Sequence, residues 1–295
     1  MAAKKYWLGR GVLSLSSNIV VQCGFGISNG RASMQDYAYQ HVDPAVVRIP
    51  KVYRFFEDWT TSRTIPDGYL FMENMPGKTI CDLDEDSDNA VSRALTKRIS
   101  EIALHLLSIK APDGTPPGPV DGSPPNGYLW GDDGSDTAFA SAAEWNLWLN
   151  KRLKVLNLSI DIIPCYPLVL CHGDLVRRNI IVLDDRENKN KDYEQRQLAL
   201  VDWGHSALLP RVCELVAMFC YNDHGGYQYT NELLKITKEA IGLTEAEQEC
   251  YKLLISARAM TLRYKNLNVW FSLLKSRGEV CYIQANPISP VTKMS

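Results

Sequence analysis

Three oxygen-bearing side chains in the second half of the chain have the types and spacing of a site that manages charge. Asp174 and Asn179 stand five residues apart in LVLCHGDLVRRNIIVLDD, and Asp202 closes a later apolar run, LALVDWG. A buried strand has no use for a histidine, two arginines, an asparagine and an aspartate in its middle. The cluster therefore reads as a loop between strands, either one that holds charged groups for chemistry or an idle polar turn. If IIVL and LALV pair as a hairpin, Asp202 is delivered beside the loop carrying Asp174 and Asn179. Two carboxylates and an amide oxygen converging on one cleft are hard ligands, suited to Mg2+ rather than to zinc.

The elements that must position these residues change character along the chain. The first eighty residues read as β-rich with one helix. GVLSLSSNIVVQCG has two apolar runs around a Ser-Ser-Asn turn and predicts a hairpin. RASMQDYAYQHV, from Arg31 to Val42, has helical spacing, and PKVYRFFED and GYLFMENMPG are strand candidates, the second running into a break at Pro76 and Gly77. Beyond that break the chain is mainly helical. Val91, Leu95, Ile99, Ile102 and Leu106 share one helix face, and Ser141/Glu144 and Thr244/Glu247 are capping boxes that open two further helices. Between them lies a long Pro-, Gly- and Asp-rich loop from Ala111 to Asp136. The expected class is α+β, with a small β-rich lobe and hinge over residues 1–77 and a larger helical lobe over 78–295.

Composition narrows the partners. With 45% hydrophobic and 22% charged residues and a net charge of −2, the chain is not built as a dedicated nucleic-acid binder. No apolar stretch is long enough for a membrane span, and the N-terminal residues lack an apolar run of signal-peptide length, so no leader is expected. The eight cysteines are scattered with no metal-binding spacing, which suits reduced thiols in a cytoplasmic protein.

The five-residue spacing of Asp174 and Asn179 matches the catalytic loop of protein kinases, where the aspartate accepts the proton of a substrate hydroxyl. More closely, His172-Gly173-Asp174-Leu175 followed by Arg178-Asn179 resembles the H-G-D-L-x-x-x-N motif of the aminoglycoside phosphotransferase and choline kinase-like family. VDWGHSALLPR is similar to the family's I-D-W-E-x-A-G-x-x-P segment, and GYLFMENMPGKTI to its hinge strand. The long loop and the WLNKRL after it resemble a subgroup common among filamentous fungi. The resemblance covers nearly the whole chain. It implies a bilobal protein kinase-like fold, ATP and Mg2+ as cofactors, and a small-molecule substrate. By position it implies that Asp174 is catalytic and that Asn179 and Asp202 hold metal. Met72 would line the back of an adenine pocket whose edge is met by the backbone of Glu73 and Met75.

The small lobe departs from that pattern and looks shortened. Gln22 stands where the family has the lysine that grips phosphate, and Arg31 where it has the glutamate that holds this lysine. A neutral amide cannot replace a cation, so Arg31 is the candidate to supply the missing charge. No Gly-rich phosphate loop precedes them, VRRN replaces the commoner HPRN, and Gly204 replaces the glutamate after Asp-Trp. His172 is expected to brace the loop, Trp203 to pack against it, and His105, His205 and His224 to be structural or solvent-facing. The leading expectation is an ATP- and Mg2+-dependent phosphotransferase acting on a small-molecule hydroxyl. Two alternatives stay open: a kinase-fold enzyme repurposed for other chemistry on a natural product, and an inactive pseudokinase-type binding protein. The candidates for acceptor contacts are the 111–136 loop and CYNDHGGYQYT, which read equally well as solvated loops.

Overall fold

A computed structural model describes residues 4–5, 11–60, 65–85, 89–131, 134–184, 192–221 and 226–263. His224, Cys281 and the predicted helical tail beyond 263 lie outside the described residues.

The small lobe is one antiparallel sheet and one helix. Strands β1 (Lys4–Lys5), β2 (Gly11–Ser14), β3 (Ile19–Phe25), β4 (Val52–Asp58) and β5 (Asp67–Glu73) take the order β1-β2-β3-β5-β4. The predicted hairpin is β2–β3, with Gln22 opposite Val12 on one side and Leu70 on the other. Helix α1 (Asn29–His41) is opened by Ser28, whose hydroxyl accepts from the Arg31 N–H. α1 buries Ala32 against Leu70 and Met72 of β5, and Met34 and Ala38 against the larger lobe. The helix thus belongs to both cores, which fixes Arg31 at their junction.

Past β5 the chain enters the helical lobe through β6 (Gly77–Thr79), which pairs with β8 (Ile180–Leu183). β8 in turn pairs with β9 (Leu198–Leu200), the hairpin predicted from IIVL and LALV. β7 (Leu168–Cys171) pairs separately with β10 (Ala207–Pro210), so the loop between β7 and β8 is held from both ends. The helices are α2 (Ile80–Glu85), α3 (Ala90–Ser108), α4 (Ala142–Leu153), α5 (Val212–Cys220), α6 (Tyr227–Ile241) and α7 (Glu245–Arg263). The α3 stripe of Val91, Leu95, Ile99, Ile102 and Leu106 is buried, as its spacing requires.

Both capping residues work. Ser141 accepts from the Glu144 N–H at 3.2 Å. Thr244 and Glu247 close a reciprocal box, with Glu247 N–H to the Thr244 hydroxyl at 3.2 Å and Thr244 N–H to the Glu247 carboxylate at 2.9 Å. The seven described cysteines are free thiols. No described helix is long and apolar enough to cross a membrane.

Candidate active site

A cavity of about 760 Å3 lies between the sheet and the helical lobe. Every residue singled out from the sequence as a site candidate lines it. Gln22 and Arg31 come from the small lobe, Met72, Glu73 and Met75 from the crossing between lobes, and Asp174, Asn179 and Asp202 from the floor.

The loop from His172 to Asn179 is braced by the buried side chains of Glu214, His172, Trp203, Arg177 and Asp84. Gly173 has φ of +73°, and a Cβ there would sit 2.6 Å from the His205 carbonyl oxygen, so the position requires glycine. Its N–H donates to both carboxylate oxygens of Glu214 on α5, at 2.9 and 3.2 Å. Burial pushes the Glu214 carboxyl up to about 7. His172 is fully buried, and burial holds its imidazole down to about 4, so it is neutral. Its Nδ1 accepts from the Asp174 N–H at 3.2 Å, which leaves Nε2–H to donate to the Val201 carbonyl at 3.2 Å. One tautomer therefore ties the loop to the segment carrying Asp202. The Trp203 ring packs edge-on against His172 at 4.7 Å. Arg177 is buried in a 3.0 Å ion pair with Asp84 of α2, and the same Nη1 donates to the Asn89 side chain at 2.7 Å. His172 and Trp203 thus take the bracing and packing places expected of them.

Asp174 sits at the loop's apex, 5% exposed, with its carboxylate aimed at the cavity. The Asn179 amide donates to its Oδ2 at 2.8 Å and to its backbone carbonyl at 3.0 Å. On the other side Arg178 approaches Oδ2 at 3.0 Å, and its second nitrogen donates to the Tyr221 hydroxyl at 2.6 Å. Tyr128 lies 5.5 Å from Tyr221 and 5.0 Å from His205, ring to ring. His205 Nδ1 is 3.9 Å from Asp174 Oδ2, and burial lowers its pKa. His205 therefore belongs to the cavity wall. The two regions expected to contact an acceptor each contribute a tyrosine beside Asp174: Tyr128 from the long loop and Tyr221 from CYNDHGGYQYT, whose residues 222–225 lie outside the described residues.

Asp202 adopts a left-handed backbone with φ of +65°, an uncommon conformation for a non-glycine residue. Its Oδ1 accepts from Arg31 Nη1 at 2.5 Å. Burial works to raise the Asp202 carboxyl, but the Arg31 guanidinium beside it holds it below the usual carboxylate range. Arg31 thus crosses the cleft to the helical lobe, in the cavity that Gln22 also lines.

Asn179 and Asp202 do flank Asp174, yet the set as arranged does not fit a divalent cation. Asp202 is engaged by Arg31 and Asp174 by Arg178. Two guanidinium groups already balance two carboxylates, and an added dication would meet two positive charges. Among the described residues no group of three or more His, Cys, Asp or Glu side chains is arranged to hold a metal.

Where the lobes cross, Met72 is buried and its sulfur accepts from the Gln35 amide at 3.4 Å. The Glu73 N–H is taken by the Lys51 carbonyl, and the Glu73 carboxylate by Arg48. Met75 is 6% exposed and lines the same cavity.

Comparison with known proteins agrees with this architecture. A family model described as a phosphotransferase enzyme family matches residues 28–253. Among curated proteins no sequence matches the chain. Among solved structures, aminoglycoside phosphotransferase APH(4)-Ia in ternary complex with AMP-PNP and hygromycin B superposes with a TM-score of 0.53 at 13% identity, over 94% of this chain and 90% of that one. Its apo form gives 0.51 at 14% identity, over 94% and 91%. The GDP complex of an aminoglycoside 2'-phosphotransferase of type IIIa gives 0.50 at 14% identity, over 94% and 87%. At such identities the likeness is one of fold, a bilobal α+β kinase-like architecture.

Proposed function

The chain belongs to the phosphotransferase enzyme family, and from that premise we propose that it moves the terminal phosphoryl group of ATP onto a hydroxyl of a small molecule. The observation that carries this reading is the placement of Asp174. Its carboxylate is pinned by Asn179 and by a buried loop brace at the floor of a cavity lined on its far side by Met72, Glu73 and Met75. The adenine ring would lie against Met72 and the backbone of Glu73 and Met75. The phosphates would extend toward Gln22 and Arg31. Asp174 would aim the acceptor hydroxyl in line and take its proton as the new P–O bond forms and the bond to ADP breaks.

The AMP-PNP and GDP of the structurally similar proteins support a nucleotide in such a cleft. Among the described residues, the lobe boundary is best set at Gly77, where the chain leaves the five-stranded sheet and pairs with β8. The acceptor side is the helical-lobe wall formed by Tyr128, Arg178 and Tyr221.

One observation favours a second reading, a nucleotide-binding protein without transfer. Both cleft carboxylates already carry an arginine partner. ADP formation in the presence of small hydroxyl compounds, abolished by Asp174→Asn, separates the two. Binding without turnover is the mark of the second.

A further inference from the structure

We propose that Arg31 is a resident cation that takes the place of a divalent metal at Asp202, so that the cleft binds the phosphates of a nucleotide without Mg2+. The proposal rests on the nucleotide-binding reading of the cleft and names the ion chemistry of that site.

Two features place the guanidinium there, and a third says what else the small lobe offers the cleft. Arg31 is 7% exposed and its Nη1 meets Asp202 Oδ1 at 2.5 Å, joining α1 to a segment 171 residues away in sequence. The second feature is Gly204. A Cβ at this position would lie 2.1, 2.4 and 2.8 Å from Nη2, Cζ and Nε of Arg31, so the guanidinium is seated against the glycine itself. Gly204 has no left-handed backbone to explain it. Its lack of a side chain is what admits Arg31 to Asp202. Third, Gln22 of the small lobe is neutral, and no lysine is among the described residues lining the cavity.

The chemistry follows from the donor count. A guanidinium has five N–H donors in a planar fork suited to phosphate oxygens. Asp202 takes Nη1, while Nε is buried with no hydrogen-bond partner in the described structure. A divalent ion at Asp202 would have to evict a buried cation, whereas a polyphosphate beside the charge-balanced Arg31–Asp202 pair needs only the guanidinium N–H donors that Asp202 leaves unused. Arg178, beside Asp174, is 46% exposed. Arg31, enclosed by Gly204 and α1, stays.

The test is calorimetric titration of the full-length protein with ADP, in excess EDTA and in excess Mg2+. The expected affinities agree within about twofold. In EDTA, Arg31→Ala and Gly204→Ala each weaken ADP binding by about tenfold or more. As a second measurement, Mn2+ alone shows no binding to the wild type by electron paramagnetic resonance, and gains a site in Arg31→Ala. ADP affinity that collapses in EDTA and returns with Mg2+ overturns the proposal and leaves the phosphotransfer reading standing. Metal-independent binding without transfer to any acceptor upholds the proposal and removes that reading. Absence of ADP binding under both conditions overturns both.

Discussion

The amide of Asn179 donates to the Asp174 carboxylate at 2.8 Å and to the Asp174 backbone carbonyl at 3.0 Å, so one side chain fixes both the position and the aim of the other. In a site whose work is orientation, such a double hold is worth more than its hydrogen-bond energy, because misplacement of the reacting groups costs rate steeply.

Asp174→Asn removes the proton acceptor while keeping shape and most hydrogen-bonding capacity. The expected loss of transfer is about 10^2- to 10^4-fold. ADP affinity and melting temperature stay close to the wild type, which calorimetry and a thermal melt check.

Arg177→Ala leaves Asp84 buried without its partner, at a site where the two side chains are 6% and 2% exposed. Breaking such a pair from one side costs about 3–5 kcal/mol. Urea unfolding reads this as a lower midpoint with unchanged slope, and activity falls with the folded fraction.

Gly173→Ala forces a Cβ into the His205 carbonyl at a backbone of φ +73°. Residues held in such a region cost on the order of 1–3 kcal/mol, before the displacement of His205 is added. Since His205 lies beside Asp174, transfer should decline by more than the loss of stability explains, as single-turnover rates on the folded fraction would show.

Glu214 predicts a pH effect of definite sign. Burial sets its carboxyl at about 7 in the fold, above the 4.5 of an ordinary glutamate. Between those values the native state holds a proton that the unfolded chain has lost, so this residue makes stability fall as pH rises. Glu214→Gln removes the titration and keeps an acceptor for the Gly173 N–H. Relative to the wild type, the variant therefore gains stability from pH 4.5 to 7, by at most about 1.4 kcal/mol per pH unit. A flat difference across that range in paired urea titrations contradicts the assignment.

What was legible in the sequence, and what was not, divides by the range of the interaction. Asp174, Asn179 and the β8–β9 hairpin were readable because spacing and apolar alternation are local signals. The Arg31–Asp202 pair was not, because the two residues are 171 apart in sequence and no local pattern announces their meeting. Gly204 read as a lost carboxylate, yet its role is the space it leaves for Arg31. Glu214 was missed because it lies in an apolar helix, and only the approach of β7 and its loop reveals what it accepts. A buried glutamate within VCELVAMFC was the one available signal, since such a residue is rarely buried without a partner. Tyr128 was hidden in a Pro- and Gly-rich loop whose composition marks irregular backbone without saying which side chain faces inward.

The central claim is tested most directly by incubating the protein with γ-labelled ATP and a mixed set of small hydroxyl compounds, with Asp174→Asn in parallel. The predicted result is label on an organic acceptor with an equal amount of ADP, and neither product from the variant. ATP left intact by the wild type, or equal transfer by the variant, would contradict it.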